Sequence, residues 1–179
     1  MIAVLLAAIS CAHLHKVDTG ARLDAPPTAT FEMVFSPSRQ SEEAIIHFIG
    51  EARRSVHVAA YAFTSKEIAQ ALLDARMRGL DVRVVVGKGQ KASRYSVATF
   101  LAEHTVSVRI DDKYQLQHQN VVIVDGVSLE TGSYNFMDGV RDRNSENVLI
   151  IRNVPELAAQ FEANWEKMWS ESVILKGGE

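Results

Sequence analysis

Between residues 118 and 135 the chain places an imidazole, two amides, a carboxylate and a glycine-serine turn around one apolar run. These are His118, Asn120, Val121 to Val124, Asp125, Gly132, Ser133 and Asn135. A free imidazole titrates near pH 6.5, so around neutrality it serves as nucleophile or base when neutral and as acid when protonated. Backbone N–H groups at Gly132 and Ser133, together with the serine hydroxyl, suit an anion where a strand ends. The string therefore reads as a reaction centre for a negatively charged group.

The elements that must position these residues follow from the same string. Val121, Val122, Ile123 and Val124 are β-branched, so the run from Asn120 reads as a buried strand, and Asp125-Gly126 as a tight hairpin turn. A second strand passes through Val127, Leu129 and Thr131. Side chains two apart on a strand share a face, which predicts that His118 and Asn120 point the same way. Pairing across the turn returns Gly132 to Asn135 towards the start of the first strand, where His118 and Asn135 can meet. Asp125, at the turn, is placed far from His118 of its own chain. Taken singly, each residue has an ordinary structural explanation; the joint spacing argues for chemistry.

Outside the string, strands and amphipathic helices alternate. Phe31 to Phe35 reads as a strand, and Ser41 to Arg54 as a helix with Ala44, Ile45, Phe48, Ile49 and Ala52 on one face. Val56 to Phe63 is a buried strand, Thr64-Ser-Lys-Glu67 a capping box opening a helix that ends at Gly79, and Val82 to Val86 another buried strand. A helix through Val97, Phe100 and Leu101 leads to a strand at Val106 to Ile110. A strand at Asn147 to Ile151 precedes a helix from Pro155, whose Leu157, Phe161, Trp165 and Trp169 recur at helical spacing and read as core. The alternation predicts an α/β sandwich around a mixed sheet. There is no internal repeat.

The spacing His-x-Lys-x4-Asp-x6-Gly-Ser-x-Asn marks the phospholipase D superfamily. The chain matches it at His118, Asp125, Gly132, Ser133 and Asn135, with Asn120 where the family has lysine. Ser55 to Thr64, Arg78 to Val86, Asn144-Ser145-Glu146-Asn147 and the Trp-containing last helix resemble the small bacterial Nuc-type endonucleases of that superfamily. The resemblance covers about residues 31–172. It implies a phospholipase D-like sandwich, a mixed β-sheet flanked by helices, with one motif per chain.

The resemblance also implies a phosphodiesterase without metal or cofactor. One histidine attacks phosphorus to give a phosphohistidine, a second protonates the leaving oxygen, and water hydrolyses the intermediate. Carried over, His118 would be nucleophile or general acid, and Asn120, Ser133 and Asn135 would contact phosphate oxygens. Asp125 would support the histidine environment as the motif carboxylate, and Glu146 would orient the histidine. Two motifs are needed and one is present, which implies a homodimer with one His118 from each subunit facing across a twofold axis. His13, His15, His47, His57 and His104 have no motif around them and read as surface or packing residues.

The loop from Gly87 to Arg94 follows a buried strand and precedes a helix, where an α/β protein tends to place ligands. Its Lys88, Lys91 and Arg94 either grip a DNA or RNA backbone and supply the charge that Asn120 lacks, or belong to an ordinary solvated loop. Lys113, Arg141 and Arg143 flank the motif as similar candidates, and Tyr95, Tyr114 and Tyr134 are the nearby residues for base stacking. At 179 residues, 47% hydrophobic and 23% charged, the chain can bury a core and is not disordered. A net charge of -3 argues against strong non-specific attraction to a polyanion, so nucleic-acid contact requires a local basic patch.

Residues 1–12 are uncharged and apolar and end in Ser10-Cys11-Ala12, which suits signal peptidase and a periplasmic or secreted protein. A lipoprotein reading of the same segment would leave a lipid anchor at Cys11, and a frayed tail is the third reading. The apolar run is too short for a stable membrane span. Residues 13–30 read as a linker and 173–179 as a tail. With Cys11 the sole cysteine, an internal disulfide, cysteine catalysis and a cysteine zinc site are excluded. Three functions stay open: an endonuclease of low sequence selectivity, a weakened relative that binds nucleic acid or another phosphodiester, and a phospholipase D-type lipid hydrolase.

Overall fold

The computed structural model describes residues 22–90, 96–139 and 142–177. The leader, Cys11, His13, His15, Lys91, Arg94, Tyr95 and Arg141 lie outside them. Among the described residues, eight strands form one mixed sheet: β1 (Thr30–Ser36), β2 (Ser55–Ala60), β3 (Asp81–Gly87), β4 (Ser107–Asp111), β5 (Val121–Val124), β6 (Ser128–Gly132), β7 (Glu146–Arg152) and β8 (Val173–Ile174). Their spatial order is β1-β7-β6-β5-β2-β3-β4-β8, with β2, β3 and β4 parallel and the other pairings antiparallel. Helices α1 (Arg39–Gly50), α2 (Lys66–Met77) and α3 (Ala98–Glu103) cover one face, and α4 (Pro155–Glu171) covers part of the other.

The central strands read as continuous apolar runs because both faces are covered. On β3, Val84 and Val86 pack under α1 and α2, while Val85 joins Ala59, Val121 and Ile123 beneath Trp165 of α4. Trp165 is core as its spacing predicts, and its indole N–H donates to the Val58 carbonyl at 2.9 Å. Trp169 is half-buried, stacks on Trp165 at 5.1 Å and lies under the Arg109 guanidinium at 4.4 Å.

Helix ends differ from expectation in one instructive place. Ser65, not Thr64, caps α2: its hydroxyl oxygen accepts from the Ile68 N–H at 3.1 Å, while its own O–H donates to Glu42 of α1 at 2.6 Å. Thr64 instead accepts from the Asp138 N–H at 3.0 Å, tying the loop after β2 to the loop after β6. Gly79 ends α2 at φ +87, where the Leu80 N–H reaches back to the Ala75 carbonyl at 3.3 Å. The expected tail begins as β8, which pairs with β4 through Ile110 and Val173. Among the described residues, no helix is long and apolar enough to cross a membrane.

Candidate active site

Register gathers the motif, Asp125 excepted, on one rim of the sheet. Strand β5 runs antiparallel to β2 with Val121 opposite Ala59, which brings Asn120 beside the C-terminal end of β2. On its other side Val121 pairs with Thr131, so the chain leaving β6 through Gly132, Ser133 and Asn135 arrives at the same place. Strand β7 begins there too, because Gly132 pairs with Val148.

Asn120 is the knot of this rim. It is 3% exposed. Its Oδ1 accepts from the Tyr61 N–H at 3.2 Å, and its Nδ2 donates to Asn135 Oδ1 at 3.1 Å. Both ends of the amide therefore join protein partners, whereas the sequence suggested a contact with substrate. His118 lies in the chain just before β5, is exposed, and rests its ring against Tyr61 with centroids 4.6 Å apart. Regular strand geometry starts only at Val121, yet both residues meet Tyr61, Asn120 at its backbone and His118 at its ring. Asn135 is met by Asn120; among the described residues no hydrogen bond joins it to His118.

The remaining parts are fixed by backbone. A Cβ on Gly132 would lie 2.2 Å from the Asn147 carbonyl oxygen, so only glycine permits the close approach of β6 and β7. Ser133 Oγ accepts from the Asn147 N–H at 3.1 Å, leaving its exposed hydroxyl hydrogen available to an anion. The Gln117 amide brackets the reactive loop through Gln119 O and N, both at 3.3 Å, and Asn164 of α4 donates to Gln119 Oε1 at 3.1 Å. The result is an exposed imidazole on a braced support.

Several expectations are corrected. Asp125 sits at the opposite end of β5, roughly 17 Å from Asn120 at ~3.3 Å per residue. Its carboxylate accepts from the N–H groups of Arg53, Arg54 and Ser55 at 3.0, 2.7 and 3.0 Å, and it turns the chain at φ 57. It is a structural tie and does not share a place with His118. Glu146 opens β7 on the active rim, yet its carboxylate accepts from the Asn144 amide at 3.1 Å; among the described residues no hydrogen bond links it to His118. Lys113 pairs with Glu171, which raises the lysine pKa and lowers that of the glutamate. That pairing removes Lys113 as a source of the missing charge. Lys88 is exposed in the turn after β3, directly beside the reactive loop: a Cβ on the preceding Gly87 would lie 3.4 Å from the Tyr61 carbonyl oxygen and 3.6 Å from that of Gln117.

Tyr61 is the residue that sequence reasoning missed. Tyr134 is 1% exposed and cannot stack on a base, whereas Tyr61, half-buried at the end of β2, touches the reactive ring. The signal was its position as the first polar-tipped aromatic after a buried strand. An apolar cavity of about 740 Å³, lined by Leu23, Phe31, Val127, Ile151 and Leu157, lies at the Asp125 end of the sheet, away from His118. Phe31, Met33 and Phe35 of β1 form a stripe 60%, 60% and 64% exposed that runs from the Asp125 end of the sheet to the rim near His118, where Phe35 pairs with Asn147.

Comparison with known proteins agrees with this fold. Residues 45–169 match the family described as "Cardiolipin synthase, PLD-like domain". A phospholipase D of Rickettsia felis is 33% identical over 131 residues, covering 73% of this chain and 65% of its own length. The chain thus spans about two thirds of that relative. A mitochondrial cardiolipin hydrolase of Xenopus laevis is 28% identical, covering 81% of this chain and 73% of the relative. The crystal structure of the phospholipase D family member Nuc from Salmonella typhimurium superposes with a TM-score of 0.78 at 31% identity, over 83% of this chain and 99% of that one.

Proposed function

The chain belongs to the phospholipase D-like family, and from that premise we propose that it is a metal-independent phosphodiesterase, an endonuclease acting on the DNA or RNA backbone through a phosphohistidine. The observation that carries this reading is the exposed His118 imidazole, propped against Tyr61 beside the anion-suited Ser133. A neutral His118 attacks phosphorus, the phosphorus–oxygen bond to the leaving strand breaks, and a protonated His118 of a second copy gives its proton to the departing oxygen. That second imidazole, now neutral, takes a proton from water as the water attacks phosphorus. The N–P bond breaks, and both histidines return to their starting states.

A twofold homodimer supplies the second histidine. The exposed Met33 and Phe35 at the rim end of the β1 stripe support it, since large apolar side chains there gain by being covered. Periplasmic or secreted location follows from reading residues 1–12 as a leader.

The weakened-relative reading is favoured by one observation, that the Asn120 amide is engaged within the protein and brings no charge to the phosphate. The lipid-hydrolase reading rests on the names of the relatives. Plasmid nicking by the purified protein in EDTA, with phospholipid vesicles assayed in parallel, separates the three. Nicking in EDTA that is lost in His118→Ala supports the endonuclease. Vesicle hydrolysis without nicking supports the lipase, and DNA binding without turnover the weakened relative. Nicking that needs added metal overturns the mechanism.

A further inference from the structure

On the α4 face of the sheet, away from the rim that carries His118, a second imidazole is surrounded by acids. His57 of β2 is 8% exposed and stacks flat on Trp165, with ring centroids 4.5 Å apart and planes 12° apart. Its Nδ1 contacts the Glu162 carboxylate of α4. Glu166 lies one helical turn further on, four residues being the spacing that aligns side chains on one helix face. One ligand atom each from His57, Glu162 and Glu166 falls within 4.8 Å of the others.

We propose that His57 Nδ1, Glu162 and Glu166 bind a divalent transition-metal ion, zinc in its chemical class, that clamps α4 onto β2 and β3. Nitrogen and carboxylate oxygen are both zinc donors at about 2.0–2.2 Å, and side-chain rotation closes the present spacing to that geometry.

Two further features point to an ion. The other ring nitrogen, Nε2, is buried, has no hydrogen-bond partner among the described residues and faces an Asp81 carboxylate oxygen at 3.5 Å. A metal-ligating histidine ordinarily turns its second N–H to such an outer carboxylate, which fixes the tautomer and leaves the other nitrogen's lone pair for the metal. Arg83 in turn holds Asp81 at 2.7 Å and reaches Glu166 at 3.4 Å. Glu162, Glu166 and Asp81 outweigh the single Arg83 cation by two charges, which a divalent ion balances. His57 would bind the ion as the neutral ring, with Nδ1 unprotonated and its one ring proton on Nε2 facing Asp81. The proposed chemistry of His118 does not use this site, so an ion here is structural and its removal leaves cleavage in EDTA possible.

The test is a zinc titration of the full chain after EDTA treatment and dialysis, read by tryptophan fluorescence because Trp165 stacks on His57, and by competition with a chromogenic chelator. One equivalent should bind at micromolar zinc or below and raise the thermal midpoint. Glu162→Gln and Glu166→Gln, isosteric changes on the helix surface, should each weaken binding at least about tenfold, and Asp81→Asn by about tenfold. Far-ultraviolet circular dichroism checks that each variant is folded. No saturable binding at micromolar zinc, or folded variants that bind as tightly as the parent, would overturn the site.

Discussion

Asn120 stands where the motif that the sequence resembles has lysine, and the structure gives its amide a different task, holding Tyr61 and Asn135 in register. On the proposed phosphodiester reading, the charge that phosphate needs would come from elsewhere, and Lys88 is a described cation next in the chain to Gly87, which borders the loop of Gln117. Losing one preorganised charge donor typically costs about a hundred- to a thousandfold in rate. Lys88→Ala is accordingly expected to lower kcat about a hundredfold, and adding Asn120→Lys to that variant to restore at least about tenfold. Single-turnover cleavage rates check both; an unchanged rate in Lys88→Ala would assign the charge to another residue.

A second residue sets pH dependence. Glu130 of β6 is 0% exposed, neither carboxyl oxygen has a hydrogen-bond partner among the described residues, and burial pushes its pKa well above the ordinary value. A folded pKa above the unfolded one means the native state holds a proton that the unfolded chain releases once pH exceeds about 4.5. From that point upward, the group removes about 1.4 kcal/mol of stability per pH unit until its folded pKa is reached. Glu130→Met, similar in volume and apolar, should therefore stabilise the protein more at pH 8 than at pH 5 in urea unfolding. An equal gain at both would show that the carboxyl is not held neutral.

At the scale of elements, the β5–β6 hairpin does two jobs at its two ends. The open end presents Asn120 and the chain to Asn135. The closed end, with Asp125 and Gly126 at φ 57 and 67, ties the sheet to the start of β2 through three N–H donors on Arg53, Arg54 and Ser55. Hydrogen bonds to an ionised acceptor contribute more than neutral ones, about 1.5–3 kcal/mol each in favourable settings and less at an exposed turn. Asp125→Ala is expected to cost about 2–3 kcal/mol in chemical denaturation while leaving kcat of the folded protein unchanged. A large loss of kcat at full folding would return Asp125 to the chemistry.

For the molecule as a whole, the proposed pairing of two histidines would make activity a property of the assembly. Met33→Asp combined with Phe35→Asp should give a monomer by sedimentation and abolish cleavage while the circular dichroism spectrum stays that of the parent. Mixing parent with excess His118→Ala protein after subunit exchange should depress activity below simple dilution, because each mixed dimer would have lost half of the proposed shared site. Activity proportional to the parent alone would mean that one subunit suffices.

Local chemistry alone determined much of this protein. The β-branched run at Val121 to Val124, the Asp-Gly turn, the alternation of buried strands with amphipathic helices and the spacing from His118 to Asn135 specify the sheet, its layers and its family, because each depends on neighbours a few residues away. What the tertiary structure decided are the partners. Tyr61 beside His118, Lys113 spent on Glu171, Asp125 bound to residues 53–55 and His57 set among Glu162, Glu166 and Asp81 all join positions far apart in the chain. Strand order fixes such meetings, and strand order is settled by how the whole set of apolar faces packs, which no local spacing encodes.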